Sequence, residues 1–174
     1  MFASDSLHGE FRTSSEDRDQ PAPSGPTLVV IACMDRGVEP EHALGLPVGS
    51  TRILQNAGGR ASDDVLRSVV LAWAELGTEE VVVLHHTQCT LATHTNGALQ
   101  HAASAASGTD ASQQDYLVVT DLEGSVRDDV DRIRGHQLIP DWIPVVGLLH
   151  DDEHDQLRLV AGDPHSQLPF ARRD

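Results

Sequence analysis

The chain of 174 residues contains no lysine, and all 12 of its basic side chains are arginines. This absence excludes chemistry in which a lysine forms a Schiff base with a carbonyl substrate. It also excludes the phosphate-binding P-loop, whose motif requires a lysine. The chemistry of the chain must therefore rest on other side chains.

Long apolar runs and cysteines are also scarce. No stretch approaches the run of about 18 apolar residues that a membrane-spanning helix needs. Residues 1–26 lack the apolar segment of a secretory signal, and their Ser, Asp, Glu and Pro content is typical of a flexible arm. The only cysteines are Cys33 and Cys89, fewer than a secreted protein of this size usually carries. We therefore expect a cytoplasmic protein with a flexible N-terminal arm.

Positive charge is scarce too, and the formal net charge is −15. Residues 110–174 hold 14 of the 27 acidic side chains but only six arginines. Such a surface repels phosphate backbones and anionic lipids. We expect neither nucleic acid nor a membrane as a partner, and we interpret the acidic surface as an aid to solubility.

The apolar segments alternate between strand-like and helix-like patterns. Strands are predicted over 27–33, 50–59, 80–89, 142–151 and 156–162, and helices over 62–77, 91–108 and 125–135. The segment 116–122 fits either a short strand or a connector between helices. This alternation predicts an α/β fold with a mainly parallel central sheet flanked by helices. We expect one domain over 27–165, followed by a C-terminal tail over 166–174.

Three chemically distinctive stretches fall where predicted strands end: Cys33, residues 56–59 and residues 85–89. Because ligands bind beyond the carboxyl ends of parallel strands, we expect these stretches to meet at one edge of the sheet. A buried cysteine is more often a core residue than a metal ligand. Placement at matched strand ends nevertheless favours a zinc site of Cys33, His86 and Cys89, because zinc prefers thiolate and imidazole ligands.

Three protein ligands leave a fourth position on zinc, as in catalytic zinc sites. Asp35 lies two residues after Cys33. It either fills the fourth position or stands aside and hydrogen-bonds a water molecule there. The residues alone leave both arrangements open.

Several motifs resemble the β-class carbonic anhydrases, particularly their short bacterial forms. They are "CMD" at 33–35, "NAGGR" at 56–60, "DDVLRS" at 63–68 and "HHTQC" at 85–89, with further likeness over 43–49, 125–134 and 143–160. The resemblance covers roughly residues 27–162. It implies the α/β fold of that family, a Zn²⁺ cofactor and reversible hydration of carbon dioxide by zinc-bound hydroxide. It also implies active sites at a subunit interface, and therefore a homodimer or a higher homo-oligomer.

The resemblance assigns roles to particular residues. It makes Cys33, His86 and Cys89 the zinc ligands. Asp35 matches a gating aspartate that either binds zinc or releases it to water. The loop of Asn56, Gly58 and Gly59 matches one whose backbone amides face the bound anion.

The surroundings of these residues depart from the family pattern Cys-x-Asp-x-Arg, whose arginine draws the aspartate off zinc. Gly37 occupies the position of that arginine, and Arg36 stands one residue early, where an extended chain would turn it away from Asp35. Gln55 replaces a family arginine, and Thr90 replaces a glycine. The candidate catalytic residues are Asp35 and Arg36, and the candidate substrate-binding residues are Gln55, Asn56, Gly58, Gly59 and Thr90.

Three functions are compatible with these departures. The first is carbonic anhydrase activity with Arg36 recruited. The second is attack on another small electrophile, such as carbonyl sulfide, carbon disulfide or an activated carbonyl. The third is a non-catalytic relative with a closed zinc site, acting as an assembly or regulatory subunit.

Two further features have simpler interpretations. His85 precedes the candidate ligand His86 on the same strand and points the other way, so we interpret it as a core or interface residue. The stretch "DDEHD" at 151–155 has the composition of a weak cation site, but we interpret it as an acidic turn.

Overall fold

The five strands of the protein form a single sheet in the computed structural model, which describes residues 27–168. The strands are β1 (Leu28–Cys33), β2 (Arg52–Asn56), β3 (Glu80–His86), β4 (Val145–Asp151) and β5 (Gln156–Ala161). Their order across the sheet is β2-β1-β3-β4-β5. The first four strands are parallel and β5 is antiparallel to β4. The predicted mainly parallel sheet is therefore confirmed.

Four α-helices connect or follow the strands. They are α1 (Pro40–Ala43), α2 (Asp63–Leu76), α3 (Asn96–Ser107) and α4 (Leu122–Arg134), and short 3-10 turns cover Ala57–Gly59 and Thr90–Thr93. The segment 116–121 contains no strand and connects the last two helices. Helix α4 begins about one turn earlier than predicted. Ser125, where the predicted helix begins, is buried within the first turns of the observed helix.

The two faces of the sheet are covered differently. Strands β1 and β3 are buried at every residue, as expected for central parallel strands. One face packs against α2 and α4, whose apolar side chains include Val69 and Val130. The other face is covered by residues 38–46 and by Leu168. Burial of each large aliphatic side chain contributes about 1.5–3 kcal/mol.

The described segment ends in contact with the domain. Ser166 and the backbone N–H of Gln167 donate hydrogen bonds to the buried carboxylate of Glu80, at the start of β3. Leu168 is buried beside the sheet. The predicted N-terminal arm over 1–26 and the rest of the predicted tail lie outside the described residues. Within 27–168, every helix is too short or too polar to cross a membrane.

Candidate metal centre

The ends of the first three strands lie side by side at the carboxyl edge of the sheet. Cys33, the last residue of β1, pairs in register with Asn56, the last residue of β2. Ala32 pairs with Leu84, so β3 reaches the same edge and ends at His86. The expectation that the three chemical stretches meet at one edge is therefore confirmed.

Four potential metal ligands converge at this edge. One donor atom each from Cys33, Asp35, His86 and Cys89 lies within 4.8 Å of all the others. The two sulfurs are 3.8 Å apart, and Nε2 of His86 is 3.4 Å from Oδ2 of Asp35. The cysteines and the histidine are buried, whereas the Asp35 side chain is 24% exposed.

These distances fit a tetrahedral zinc ion. With Zn–S bonds of about 2.3 Å and Zn–N and Zn–O bonds of about 2.0–2.1 Å, tetrahedral geometry places the sulfurs about 3.8 Å apart and the nitrogen and oxygen about 3.3 Å apart. Nε2 of His86 is also buried without a hydrogen-bond partner. Because buried polar atoms nearly always have a partner, this nitrogen favours a metal ligand. The residues therefore fit zinc, with Asp35 as the fourth donor.

The two cysteines change each other's pKa, because their sulfurs share a hydrogen bond. Their mutual hydrogen bond lowers the pKa of Cys89 to about 7. The same bond, together with burial, raises the pKa of Cys33. The pair therefore retains a proton near neutral pH, which a metal ion must displace in order to bind both thiolates.

Asp35 is held beside the cysteines by the backbone of Thr90, whose N–H donates to Oδ2 at 2.7 Å. Partial burial raises the pKa of Asp35, but hydrogen bonds from Thr90 and Cys33 lower it by a larger amount. The net pKa of Asp35 therefore lies below its ordinary value. The side chain is therefore an ionised carboxylate at neutral pH, as a metal ligand must be.

No cation holds Asp35 away from the other donors within residues 27–168. Arg36 is exposed and forms no ion pair with any residue in that range. The N–H of Val38 donates to the carbonyl of Asp35 at 3.3 Å, and Gly37 has a φ of +85°. These are features of a type II turn, which favours glycine at its third residue. The Arg36-Gly37 order thus gives a turn without an Asp35–arginine pair.

The glycine loop packs directly on Cys33. The side chain of Asn56 closes the loop, because its Oδ1 accepts from the N–H of Arg60 at 2.8 Å and its Nδ2 donates to the Arg60 carbonyl at 2.7 Å. Gly59 has a φ of +66°, and a Cβ there would lie 2.9 Å from the backbone of Ala32 and Cys33. Only glycine fits at this close approach.

The other predicted substrate-binding residues surround the same edge. Gln55 is exposed, and its Nε2 donates to the carbonyl of Cys33 at 3.0 Å. Thr90 is exposed and is the first residue of the 3-10 turn that follows Cys89. Gly58 is buried beside Leu91. The structure therefore brings the predicted site residues to one edge, although Arg36 is exposed and forms no ion pair with Asp35.

The sequence model of the carbonic anhydrase family matches residues 28–143. This is more than half of the chain, and it includes all four donors. The chain belongs to the β-carbonic anhydrase family.

Three relatives illustrate the range of the superfamily. Beta-carbonic anhydrase 1 of Mycobacterium bovis is 37% identical over 76 residues, which are 44% of this chain and only 47% of that protein. Carbon disulfide hydrolase of Acidithiobacillus thiooxidans is 28% identical over 170 residues, which are 87% of this chain and 83% of that one. A solved structure of carbonic anhydrase from Streptococcus mutans is 41% identical with a TM-score of 0.73, covering 78% of this chain and 82% of that one.

One residue at the edge of this β-carbonic anhydrase fold was not predicted from the sequence. Oδ2 of Asp152 accepts hydrogen bonds from Nδ1 of His86 at 2.9 Å and from the N–H of Gln88 at 2.7 Å. Burial raises the pKa of Asp152, but these hydrogen bonds lower it by a larger amount, so the pKa lies below its ordinary value. The only sequence signal was the acidic stretch at 151–155, which we interpreted as a turn.

A buried ion cluster lies behind the glycine loop. Asp129 of α4 accepts from Nε of Arg60 at 2.7 Å, and the N–H of Ala61 donates to its Oδ1 at 3.1 Å. Nε2 of His85 lies 3.1 Å from Oδ2 of Asp129. His85 was predicted to be a core or interface residue, and at 1% exposure it lies in the core. No pattern in the sequence indicated its partner Asp129 on α4.

Proposed function

We propose that the protein is a zinc enzyme of the β-carbonic anhydrase type that catalyses reversible hydration of carbon dioxide and rests in a closed form at neutral pH. The observation that carries the proposal is the 3.4 Å distance between Oδ2 of Asp35 and Nε2 of His86, inside a set of four donors that fits zinc. When bound with an open fourth position, zinc supplies a water molecule with a pKa near neutrality. In the closed form, Asp35 occupies that position.

The residues of the chain divide into three roles in this proposal. Cys33, His86 and Cys89 hold the metal, and Asp35 decides whether the fourth position is open. The Thr90 amide favours the closed form, because it holds the carboxylate 2.7 Å away beside the sulfurs. The proposed substrate-binding residues are Gln55 and Thr90, which are exposed, together with the loop of Gly58 and Gly59, which the Asn56 side chain closes.

A second candidate substrate is carbon disulfide or carbonyl sulfide. The relative named carbon disulfide hydrolase matches 87% of this chain, whereas the match to the mycobacterial carbonic anhydrase covers 44%. Gln55 and Thr90 change the polar groups beside the ligands, which is where a different electrophile would be distinguished. Release of hydrogen sulfide from carbon disulfide by the zinc-loaded protein is the discriminating measurement.

Restoring the family spacing tests the closed form. In the double variant Arg36→Ala with Gly37→Arg, a guanidinium competes with zinc for Asp35. We expect carbon dioxide hydration at neutral pH to rise by about tenfold or more over wild type, equivalent to a barrier about 1.4 kcal/mol lower. Stopped-flow hydration assays on the zinc-loaded proteins measure the effect.

The control for this variant is Arg36→Ala with Gly37→Ala. It carries the same backbone strain at φ +85°, about 1–2 kcal/mol, without the guanidinium. It should hydrate carbon dioxide no faster than wild type. A fast wild type would mean that Arg36 already acts from its shifted position. Equally slow rates in all three proteins would assign the cause to Gln55 or Thr90. Failure with both substrates would leave a non-catalytic zinc protein.

We also propose that the chain assembles as a homodimer or a larger homo-oligomer. Strand β2 lies at the edge of the sheet, and large apolar side chains such as Val48 and Trp142 are exposed, at 93% and 66%. Light scattering at micromolar concentration should give at least twice the chain mass of 18.7 kDa. A mass of one chain would contradict the proposed interface.

The proposed compartment is the reducing cytoplasm. Both cysteines are free and buried, with sulfurs 3.8 Å apart. Zinc requires both as thiolates, and oxidation of the pair would remove two donors at once. A reducing environment therefore preserves the proposed site.

A further inference from the structure

Asp152 lies directly after β4, in the turn that leads to β5, and it is not one of the four donors. Its Oδ2 accepts from Nδ1 of His86 at 2.9 Å, from the backbone of Gln88 at 2.7 Å and from the hydroxyl of Thr87 at 3.4 Å. Its own N–H donates to the Thr87 hydroxyl at 3.1 Å. One aspartate therefore contacts three consecutive residues of the segment that joins His86 to Cys89.

The contact with Nδ1 determines which nitrogen of His86 carries the proton. The same Oδ2 accepts from the Gln88 amide, so it is an acceptor, and Nδ1 must donate to it. A neutral imidazole has only one N–H, and Nε2 is therefore left with a free lone pair. Nε2 is buried without a hydrogen-bond partner and lies in the donor cluster. The tautomer selected by Asp152 is thus the one that ligates through Nε2.

Asp152 is itself fixed from its other side. Its Oδ1 lies 3.4 Å from Nδ1 of His150, and Nε2 of His150 lies 3.0 Å from Asp155. His150 pairs in register with His86 on the neighbouring strand. The turn between β4 and β5 therefore presents a carboxylate of fixed orientation to His86.

We propose that Asp152 is a positioning residue of the metal centre: it selects the tautomer and ring orientation of His86, and it holds the 86–88 segment that places Cys89. The inference rests on the zinc site of the proposed function. Carboxylates that accept from the second nitrogen of a ligating histidine raise metal affinity, typically by about 10–100-fold. Asp152 acts through His86 and touches neither the metal nor the substrate.

The variant Asp152→Asn tests the inference. Its side-chain oxygen can still accept from the Gln88 amide and from Nδ1 of His86, but the negative charge that strengthens the hydrogen bond from Nδ1 is lost. We expect zinc affinity, measured by competition with a chromogenic chelator, to fall by about 10–100-fold. Circular dichroism of the same samples checks that the fold is retained.

Asp151→Asn is the matched control. Asp151 is one residue away and loses the same charge, but its carboxylate contacts only the hairpin, through His154 and the backbone of Glu153. Zinc affinity of this variant should stay within about twofold of wild type. An equal loss in both variants would overturn the inference, because it would indicate a general effect of charge or of the turn.

A measurement on the unaltered protein does not depend on any variant folding. Long-range ¹H–¹⁵N correlation spectra of the zinc-loaded wild type should show His86 with its proton on Nδ1. A proton on Nε2 would overturn the inference. Unchanged zinc affinity in Asp152→Asn would overturn it too and leave the zinc site intact. A wild type that binds no zinc would overturn the proposed function itself.

Discussion

Replacing Cys89 with serine should greatly weaken zinc binding. Metal analysis of the purified wild type should give about one zinc per chain, as expected for one four-donor site. If four donors share roughly 10–16 kcal/mol of binding free energy, one thiolate contributes about 2.5–4 kcal/mol. Zinc affinity of Cys89→Ser should therefore fall by a factor of about a few hundred.

The matched control for this loss is Gln88→Ser. Gln88 is the neighbouring residue on the same turn, its side chain is exposed, and only its backbone contacts Asp152. This variant should keep the zinc affinity of the wild type. Unchanged zinc affinity in Cys89→Ser would contradict the assignment of Cys89 as a ligand. A wild type whose zinc content stays low after zinc is supplied would contradict the metal centre as a whole.

The convergence of the four candidate ligands could be predicted because it depends largely on strand topology. Parallel strands end at one edge, and the sequence places Cys33 and His86 at the ends of two of them. Cys89 follows three residues after His86, within reach of the same point. Local sequence and topology were therefore sufficient to bring the ligands together.

The contacts of the Asp35 side chain were predictable from the sequence only in part. The shift of arginine to position 36 indicated that the pair with Asp35 is lost, and the structure agrees. The cause differs from the expected alternation of an extended chain, because Gly37 at φ +85° makes this segment a turn. The Thr90 amide that holds Asp35 belongs to the backbone, which carries no sequence signal of its own.

The partners of the ligands were not predictable. Asp152 meets His86 across 66 residues of sequence, and the meeting depends on the register of β3 with β4. Likewise, Asn56 was expected to face substrate, whereas its side chain closes the glycine loop. Local patterns do not specify such long-range or loop-closing hydrogen bonds, because side chains of the same type serve equally well in exposed turns.

The largest expected loss of stability comes from Asp129. Its side chain is 3% exposed, and that of its partner Arg60 is 11% exposed. Truncation in Asp129→Ala leaves the arginine cationic, buried and without its carboxylate. Breaking such a pair from one side typically costs about 3–5 kcal/mol. Urea unfolding monitored by circular dichroism should show this loss in the free energy of unfolding.

Asp128→Ala is the control, since Asp128 is the neighbouring residue of α4 and is exposed. Its free energy of unfolding should stay within about 0.5 kcal/mol of wild type. A loss in Asp129→Ala no larger than this would mean that Arg60 is satisfied by its other bonds, to the carbonyls of Leu117 and Val118.

The same pair predicts how stability depends on pH. Burial raises the pKa of Asp129, but hydrogen bonds from His85 and Arg60 lower it by a larger amount. The pKa of Asp129 in the folded protein therefore lies below the ordinary value. The unfolded chain then takes up a proton more readily than the folded one as acid is added. The stabilisation is therefore complete above about pH 4 and is lost as the pH falls through the folded pKa. Asp129→Ala lacks this contribution, so its stability should fall less steeply below about pH 4 than that of wild type or Asp128→Ala. Parallel acid curves for Asp129→Ala and wild type would show that another carboxylate governs the acid transition.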